Sequence, residues 1–96
     1  MSFLNFFRRQ KVDQEAERKS RLLRSGRIAE ARVFDVITNE SGAVTHVFYS
    51  YNVGGVDYES SQILSEEQRA RADDYAPGVG ITVRFDPRQP TNSVVV

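Results

Sequence analysis

The sequence predicts a mainly β fold (α+β): a small five-stranded antiparallel barrel or sandwich, with an N-terminal helix and a short helix before the fourth strand. From residue 28 onward, apolar and polar residues alternate over several short stretches, which is typical of half-buried strands. A Gly-Gly pair separates two of these stretches and predicts a tight hairpin. The chain has 96 residues, the length of one domain, and short loops between strands indicate a curled antiparallel sheet.

Residues 10–25 predict the N-terminal helix, because Gln, Lys, Glu, Ala, Arg and Leu dominate them. Gly26 follows at the position where a helix commonly ends. At about 100° per residue, Val12, Ala16 and Leu23 share one helix face. Phe3, Leu4 and Phe7 would lie on a nearly opposite face, with Phe6 to the side, so we expect this Phe cluster to serve a different contact.

Residues 28–38 predict the first strand, and residues 44–53 the second. A turn at residues 39–42 joins them, with Gly42 supplying a left-handed conformation. The pair Gly54 and Gly55 predicts a two-residue type I′ turn into a third strand. The expected inner faces are Ala29, Ala31, Val33 and Ile37 in the first strand, and Val47, Tyr49, Tyr51 and Val53 in the second. The hairpin register places Val53 opposite Val56, Tyr51 opposite Tyr58 and Tyr49 opposite Ser60.

The C-terminal third predicts a short helix and two more strands. A capping box from Ser65 to Gln68 opens the helix, which runs to about Tyr75. The fourth strand covers residues 80–86 and the fifth covers residues 93–96. The residues expected to shape turns in the chain are Gly54, Gly55, Pro77, Gly78, Asp86, Pro87 and Pro90.

The formal net charge of zero conceals a division of the chain. Residues 1–27, a basic N-terminal arm and helix, carry eight basic and three acidic residues, a net charge of +5. Residues 28–96, the β domain, carry five arginines and ten acidic residues, a net charge of −5. Such an arm either contacts an anionic surface or serves to keep the helix soluble.

The start of the chain lacks the features of a secretory signal. Its apolar stretch ends at Phe7, and the positive charges follow it instead of preceding it. No stretch approaches the roughly 20 apolar residues that span a bilayer. We therefore expect a cytoplasmic location, with attachment at the inner face of the membrane as the alternative.

Residues that carry catalysis or hold a metal are few, so we expect no enzyme, no metal and no cofactor. The chain has no cysteine and a single histidine, His46, on the outer face of the second strand. The acidic doublets at residues 66–67 and 73–74 do not face one way on a helix. The negative charge of the β domain argues against nucleic acid as a partner, because phosphate contacts require Lys and Arg.

Four short motifs, in this order and spacing, resemble a known family. They are GRIAEARV at residues 26–33, YSYNVGGVDY at 49–58, YAPG at 75–78 and VRFDPRQPTNS at 83–93. Over about residues 26–96 the chain is similar to domain-of-unknown-function family 3592, a bacterial family of small β-rich domains. The resemblance implies the β fold and carries over no catalytic residue. Many members have transmembrane helices beside the domain, whereas this chain has a Phe-rich segment and a charged helix.

Two functional hypotheses remain. The first is a non-catalytic binding or adaptor module that contacts a protein partner, or another copy of itself, through the surface residues Phe34 and Phe48. The alternative is a peripheral module on an anionic membrane surface, anchored through residues 1–11. The candidate contact residues for that arm are Phe3, Leu4, Phe6, Phe7, Arg8, Arg9 and Lys11.

Overall fold

The computed structural model describes the backbone of residues 3–96 and the side chains of residues 13–96. A 23-residue helix, α1, leads into the first of five strands. A short helix, α2, and one 3₁₀ turn lie between the third and fourth strands. The elements are α1 Phe3–Ser25, β1 Arg27–Thr38, β2 Val44–Val53, β3 Val56–Ile63, α2 Glu66–Arg69, the 3₁₀ turn Ala72–Tyr75, β4 Gly80–Asp86 and β5 Gln89–Val95.

The strands form one antiparallel sheet in the order β3-β2-β1-β4-β5. The sheet curls until its two edge strands, β3 and β5, face each other, so the fold is a nearly closed barrel. This confirms the predicted mainly β architecture with its N-terminal helix and its short helix before the fourth strand. Strand β1 lies at the centre of the sheet, with the β2–β3 hairpin on one side and the β4–β5 hairpin on the other.

The core fills the inside of the barrel with one face of each central strand. Tyr49, Val47 and Val83 are completely inaccessible to solvent. Tyr51 stacks between Tyr49 and Tyr58 at ring-centroid distances of 5.9 and 6.0 Å. Burial raises the pKa of Tyr51 above its usual value, and its hydroxyl donates a hydrogen bond to the carbonyl oxygen of Pro90.

The β2–β3 hairpin has the predicted register, with Val53 opposite Val56 and Tyr51 opposite Tyr58. Gly54 and Gly55 adopt φ values of 60° and 88°, which the type I′ turn requires and which side chains disfavour. The Asn52 side chain accepts a hydrogen bond of 3.0 Å from the Gly55 N–H and closes the turn.

The predicted inner face of β1 is wrong at its end. A β-bulge between Val33 and Asp35 shifts the pairing with β2 by one residue. Beyond the bulge, Val36 packs against the core and Ile37 is 46% exposed on the outer surface. Alternation alone could not show this, because a single inserted residue reverses the side-chain direction of everything after it.

The helices also depart from prediction. Helix α1 begins at Phe3, because no glycine or proline interrupts the chain before Gly26. From Asp13 onward its buried residue is Leu22, whereas Ala16 and Leu23 on the predicted face are exposed. Val12, also on that predicted face, lies outside the residues whose side chains are described. The capping box of α2 is confirmed, but the helix ends at Arg69 and a 3₁₀ turn follows, which places Tyr75 in the core.

The last strand begins earlier than expected. Asp86 pairs with Gln89 across Pro87 and Arg88, so the turn is tight and β5 starts at Gln89. Pro90 therefore lies inside a strand. An edge strand tolerates proline, because the N–H that proline lacks would have faced solvent there and needed no partner. Gly78 has φ of 93° after Pro77, as expected of a turn, and its N–H donates to the carbonyl of Val33 at 2.7 Å.

Side chains rather than a main-chain ladder close the seam between β3 and β5. The side-chain amide oxygen of Gln62, Oε1, accepts a hydrogen bond of 2.9 Å from the backbone N–H of Val95. The Gln68 amide donates to the Val95 carbonyl at 3.3 Å, and its oxygen accepts from Gln62 at 3.4 Å. Gln68 also forms the capping box with Ser65, so α2 is attached to the seam through one buried residue.

Gln62→Leu is expected to lower the free energy of unfolding by about 1–3 kcal/mol. Leucine has a similar size but leaves the Val95 N–H buried without an acceptor. Urea unfolding followed by circular dichroism measures the loss. The matched control is Gln14→Leu, at an exposed glutamine of α1, which should change stability by no more than about 0.5 kcal/mol. Equal stability of the two variants would contradict a structural role for the seam.

Candidate protein-contact surface

An apolar patch lies on the outer surface of β1, β2 and β3. Ile37, His46 and Ile63 are register partners across the three strands, so their side chains share one row on one surface. Phe48 lies in the next row on the same side, and Phe34 adjoins it. We call Phe34, Ile37, Phe48 and Ile63 the apolar face.

The bulge in β1 gives the apolar face its aromatic pair. Because it sets two residues of β1 against one of β2, Phe34 and Asp35 both lie beside Phe48. The Phe34 and Phe48 ring centroids are 6.3 Å apart with a 48° interplanar angle, within the range of favourable aromatic contacts. Phe34 is 48% exposed and Ile63 is 58% exposed, so much of the apolar face contacts water.

Acidic side chains share the outer surface with this face. Asp35 is the register partner of Phe48, and Glu59 lies two residues before Ser61 on β3. Asp57, near the hairpin turn, accepts a hydrogen bond from the side chain of Asn52. The basic neighbour in these rows, Arg32, donates a hydrogen bond of 2.8 Å to the carbonyl of Gly78. Among residues 13–96, the ion pairs are Arg18–Glu15 and Arg21–Glu17, both within α1. Among residues 13–96, none of these carboxylates therefore belongs to an ion pair.

Helix α1 packs against β4 and β5, and its middle turns pass beside Ile63 at the border of the apolar face. The Arg18 guanidinium donates to Glu15 at 2.7 and 3.0 Å, to the Asn92 side chain at 2.8 Å and to the Ser93 carbonyl at 3.0 Å. Hydrogen bonding to Arg18 lowers the pKa of the Glu15 carboxyl, and the same contact raises the pKa of Arg18. Leu22 and Val94 are both buried outside the main core and form the apolar part of this contact.

Surface clefts border the described part of α1. One of about 330 Å³ lies between its C-terminal turn and the β4–β5 turn, and Arg21, Asp86 and Arg88 are among the residues that line it. A second, of about 280 Å³, is lined by Glu15 and Lys19 of α1 and by His46 and Ile63 of the barrel. The second cleft is continuous with the apolar face, because His46 and Ile63 belong to the same row as Ile37.

The structure tests the predicted site residues unevenly. It brings Phe34 and Phe48 into contact on one outer surface. Ile63 was missed, although the hairpin register already placed it beside His46, and Ile37 was missed because of the bulge. The candidate arm residues Phe3, Leu4, Phe6, Phe7, Arg8, Arg9 and Lys11 lie outside the residues whose side chains are described.

No group of three or more histidine, cysteine or acidic side chains close enough to hold a metal occurs within the described part of the chain. No helix among those residues has the length and apolarity needed to cross a membrane.

Comparison with known proteins gives one match. A family model described as "Domain of unknown function (DUF3592)" matches residues 24–96. Neither the curated proteins nor the solved structures yield a match. The matched region begins at the C-terminal end of α1 and includes all five strands.

Proposed function

The chain belongs to the DUF3592 family of domains of unknown function, and we propose that it is a non-catalytic protein-binding module whose contact surface is the apolar face. The observation that carries the proposal is the contact of the exposed Phe34 with the half-buried Phe48, flanked by the exposed Ile37 and Ile63. Aromatic side chains are enriched in protein interfaces, and a cluster of exposed apolar residues on a small domain is typical of an interaction site.

The charges around the face indicate which kind of partner it fits. Asp35, Glu59 and Asp57 favour a polypeptide segment that combines apolar side chains with Lys or Arg. The same carboxylates would repel the anionic headgroups of a membrane. The apolar face is thus suited to a basic, apolar protein segment, and the membrane hypothesis depends on the N-terminal arm instead.

Two fluorescein-labelled peptides of about 12 residues test the proposal by fluorescence anisotropy with the full chain. Both have the same Phe and Leu residues, and they differ in carrying Arg and Lys or Asp and Glu. We expect the basic peptide to bind in the micromolar range and the acidic peptide at least about tenfold more weakly, a difference of 1.4 kcal/mol. Binding of the basic peptide should weaken as salt rises.

The double variant Phe34→Ser, Phe48→Ser should reduce binding of the basic peptide at least about tenfold, since truncating a central aromatic pair costs more than about 1.4 kcal/mol. Val56→Ser is the matched control, because Val56 is 51% exposed but lies at the hairpin turn, outside the apolar face. Circular dichroism must show the same fold for both variants. Undiminished binding by the double variant, or equal affinity for the two peptides, would refute the proposal.

A further inference from the structure

We propose that the segment bound by the apolar face is residues 3–11 of a second copy of this chain, so that two copies exchange their N-terminal segments. This inference rests on the proposed function and names the partner. Its basis is the match between the chemistry of the face and that of one segment in the same sequence.

The first 12 residues have the composition that the face requires. Within them, residues 3–11 contain four large apolar residues, then two arginines and a lysine, and the first acidic residue of the sequence is Asp13. Apolar side chains of this segment suit the Phe34–Phe48 pair, and its basic side chains suit Asp35 and Glu59. The net charges of residues 1–27 and 28–96, +5 and −5, give the same complementarity at the scale of the whole chain.

The apolar face is open to solvent in the single chain. Helix α1 is continuous from Phe3 to Ser25, and Arg18 and Leu22 fix it against the barrel. At ~1.5 Å per residue, Phe3 lies about 22 Å from Arg18 along the helix axis. With α1 in this position Phe34, Ile37 and Ile63 are still 46–58% exposed. Covering the face therefore calls for a segment from another molecule.

The position of α1 allows the exchange to be reciprocal. Glu15 and Lys19 line the cleft that continues into the apolar face through Ile63, so each helix passes the end of its own face. Each copy has one N-terminal segment and one apolar face that binds such a segment. Mutual exchange satisfies both in a closed dimer with twofold symmetry, whereas one-way exchange would leave a free face and a free segment.

Multi-angle light scattering of the full-length chain at about 100 µM, a concentration that saturates a contact of micromolar affinity, tests the proposal. We expect a dimer that dissociates at high salt. The segment variant Arg8→Glu, Arg9→Glu, Lys11→Glu and the face variant Phe34→Ser, Phe48→Ser should each be monomeric. Arg24→Glu, at an exposed residue in the last turn of α1, and Val56→Ser are the matched controls and should remain dimeric.

A charge exchange distinguishes this contact from general effects on folding. Adding Asp35→Arg and Glu59→Arg to the segment variant reverses both sides of the contact and should restore the dimer. The reversed segment on its own should not dimerise. Recovery in the combined variant requires a folded barrel, so loss of fold cannot imitate it.

The other outcomes overturn the inference in separable ways. A wild-type monomer that binds the basic peptide through Phe34 and Phe48 would leave the proposed function intact and assign the partner to another protein. A dimer that survives in the segment variant, or that the charge exchange fails to restore, would exclude the segment as the occupant. A wild-type monomer that sediments with phosphatidylserine vesicles, and loses this in the segment variant, would assign the segment to a membrane surface.

Discussion

Tyr49→Ala is expected to lower the free energy of unfolding by about 3–5 kcal/mol, as for other large aromatic residues truncated in a core. Tyr49 is completely inaccessible and stacks on Tyr51 at 5.9 Å. Its hydroxyl shares a buried hydrogen bond of 2.7 Å with Ser93 of β5. Alanine would leave a cavity inside the barrel and would leave the Ser93 hydroxyl without its partner. Both apolar packing and a buried hydrogen bond are therefore lost.

Urea unfolding at 25 °C, followed by far-ultraviolet circular dichroism, measures this effect. Tyr49→Phe isolates the contribution of the hydroxyl and should lower the free energy of unfolding by about 1–3 kcal/mol. The reason is that the Ser93 hydroxyl loses its hydrogen bond to Tyr49. Tyr58→Ala is the control on the same face, since Tyr58 is only half-buried and should cost less than Tyr49. A larger loss for Tyr58→Ala would mean that the core is centred elsewhere.

Gly26→Ala is expected to cost about 2–3 kcal/mol and to loosen α1 from the barrel. A Cβ atom at Gly26 would stand 2.5 Å from the Leu22 carbonyl oxygen and 3.2 Å from that of Phe85. Both neighbours are backbone atoms, so no side-chain rotation relieves the contact. The Arg84 guanidinium also donates to the Gly26 carbonyl at 2.9 Å, so a shift at Gly26 would disturb a second link between α1 and β4.

Gly80→Ala provides the matched control for Gly26→Ala. Its added Cβ would meet the Ala31 carbonyl oxygen at 3.8 Å, an ordinary van der Waals distance, and Gly80 does not have a positive φ. We expect a change within about 0.5 kcal/mol there. Thermal unfolding and hydrogen exchange of the α1 amides compare the variants. If Gly26→Ala unfolds at the same temperature as the wild type, α1 does not depend on the close approach at Gly26.

The β2–β3 hairpin and the inner faces of β2 and β4 follow directly from the sequence, whereas the end of β1 and the start of β5 do not. Gly54 and Gly55 readily adopt the two positive φ values that a type I′ turn requires. The turn in turn sets Tyr51 opposite Tyr58. The bulge near Asp35 leaves no such local signature. Its effect on Ile37 depends on pairing with β2, which is a tertiary contact.

The candidate surface is predictable to a similar extent. Phe34 and Phe48 each follow from strand alternation as outward residues, and the structure adds that they touch. The docking face of α1 is not predictable from helix periodicity, because it is selected by the Arg18 contacts to Asn92 and Ser93, which are more than 70 residues away in sequence. Leu22 is buried because it lies one turn from Arg18 on that face.

The central position of β1 has a consequence for the rate of folding. Each hairpin can form from local contacts, but the pairing of Arg27 with Phe85 joins residues that are far apart in the sequence. Bringing them together closes a loop of more than 50 residues, at an entropy cost on the order of 3 kcal/mol before any ladder bond is gained. We therefore expect the β1–β4 pairing to slow folding, to the range of milliseconds to seconds found for β proteins rich in long-range contacts.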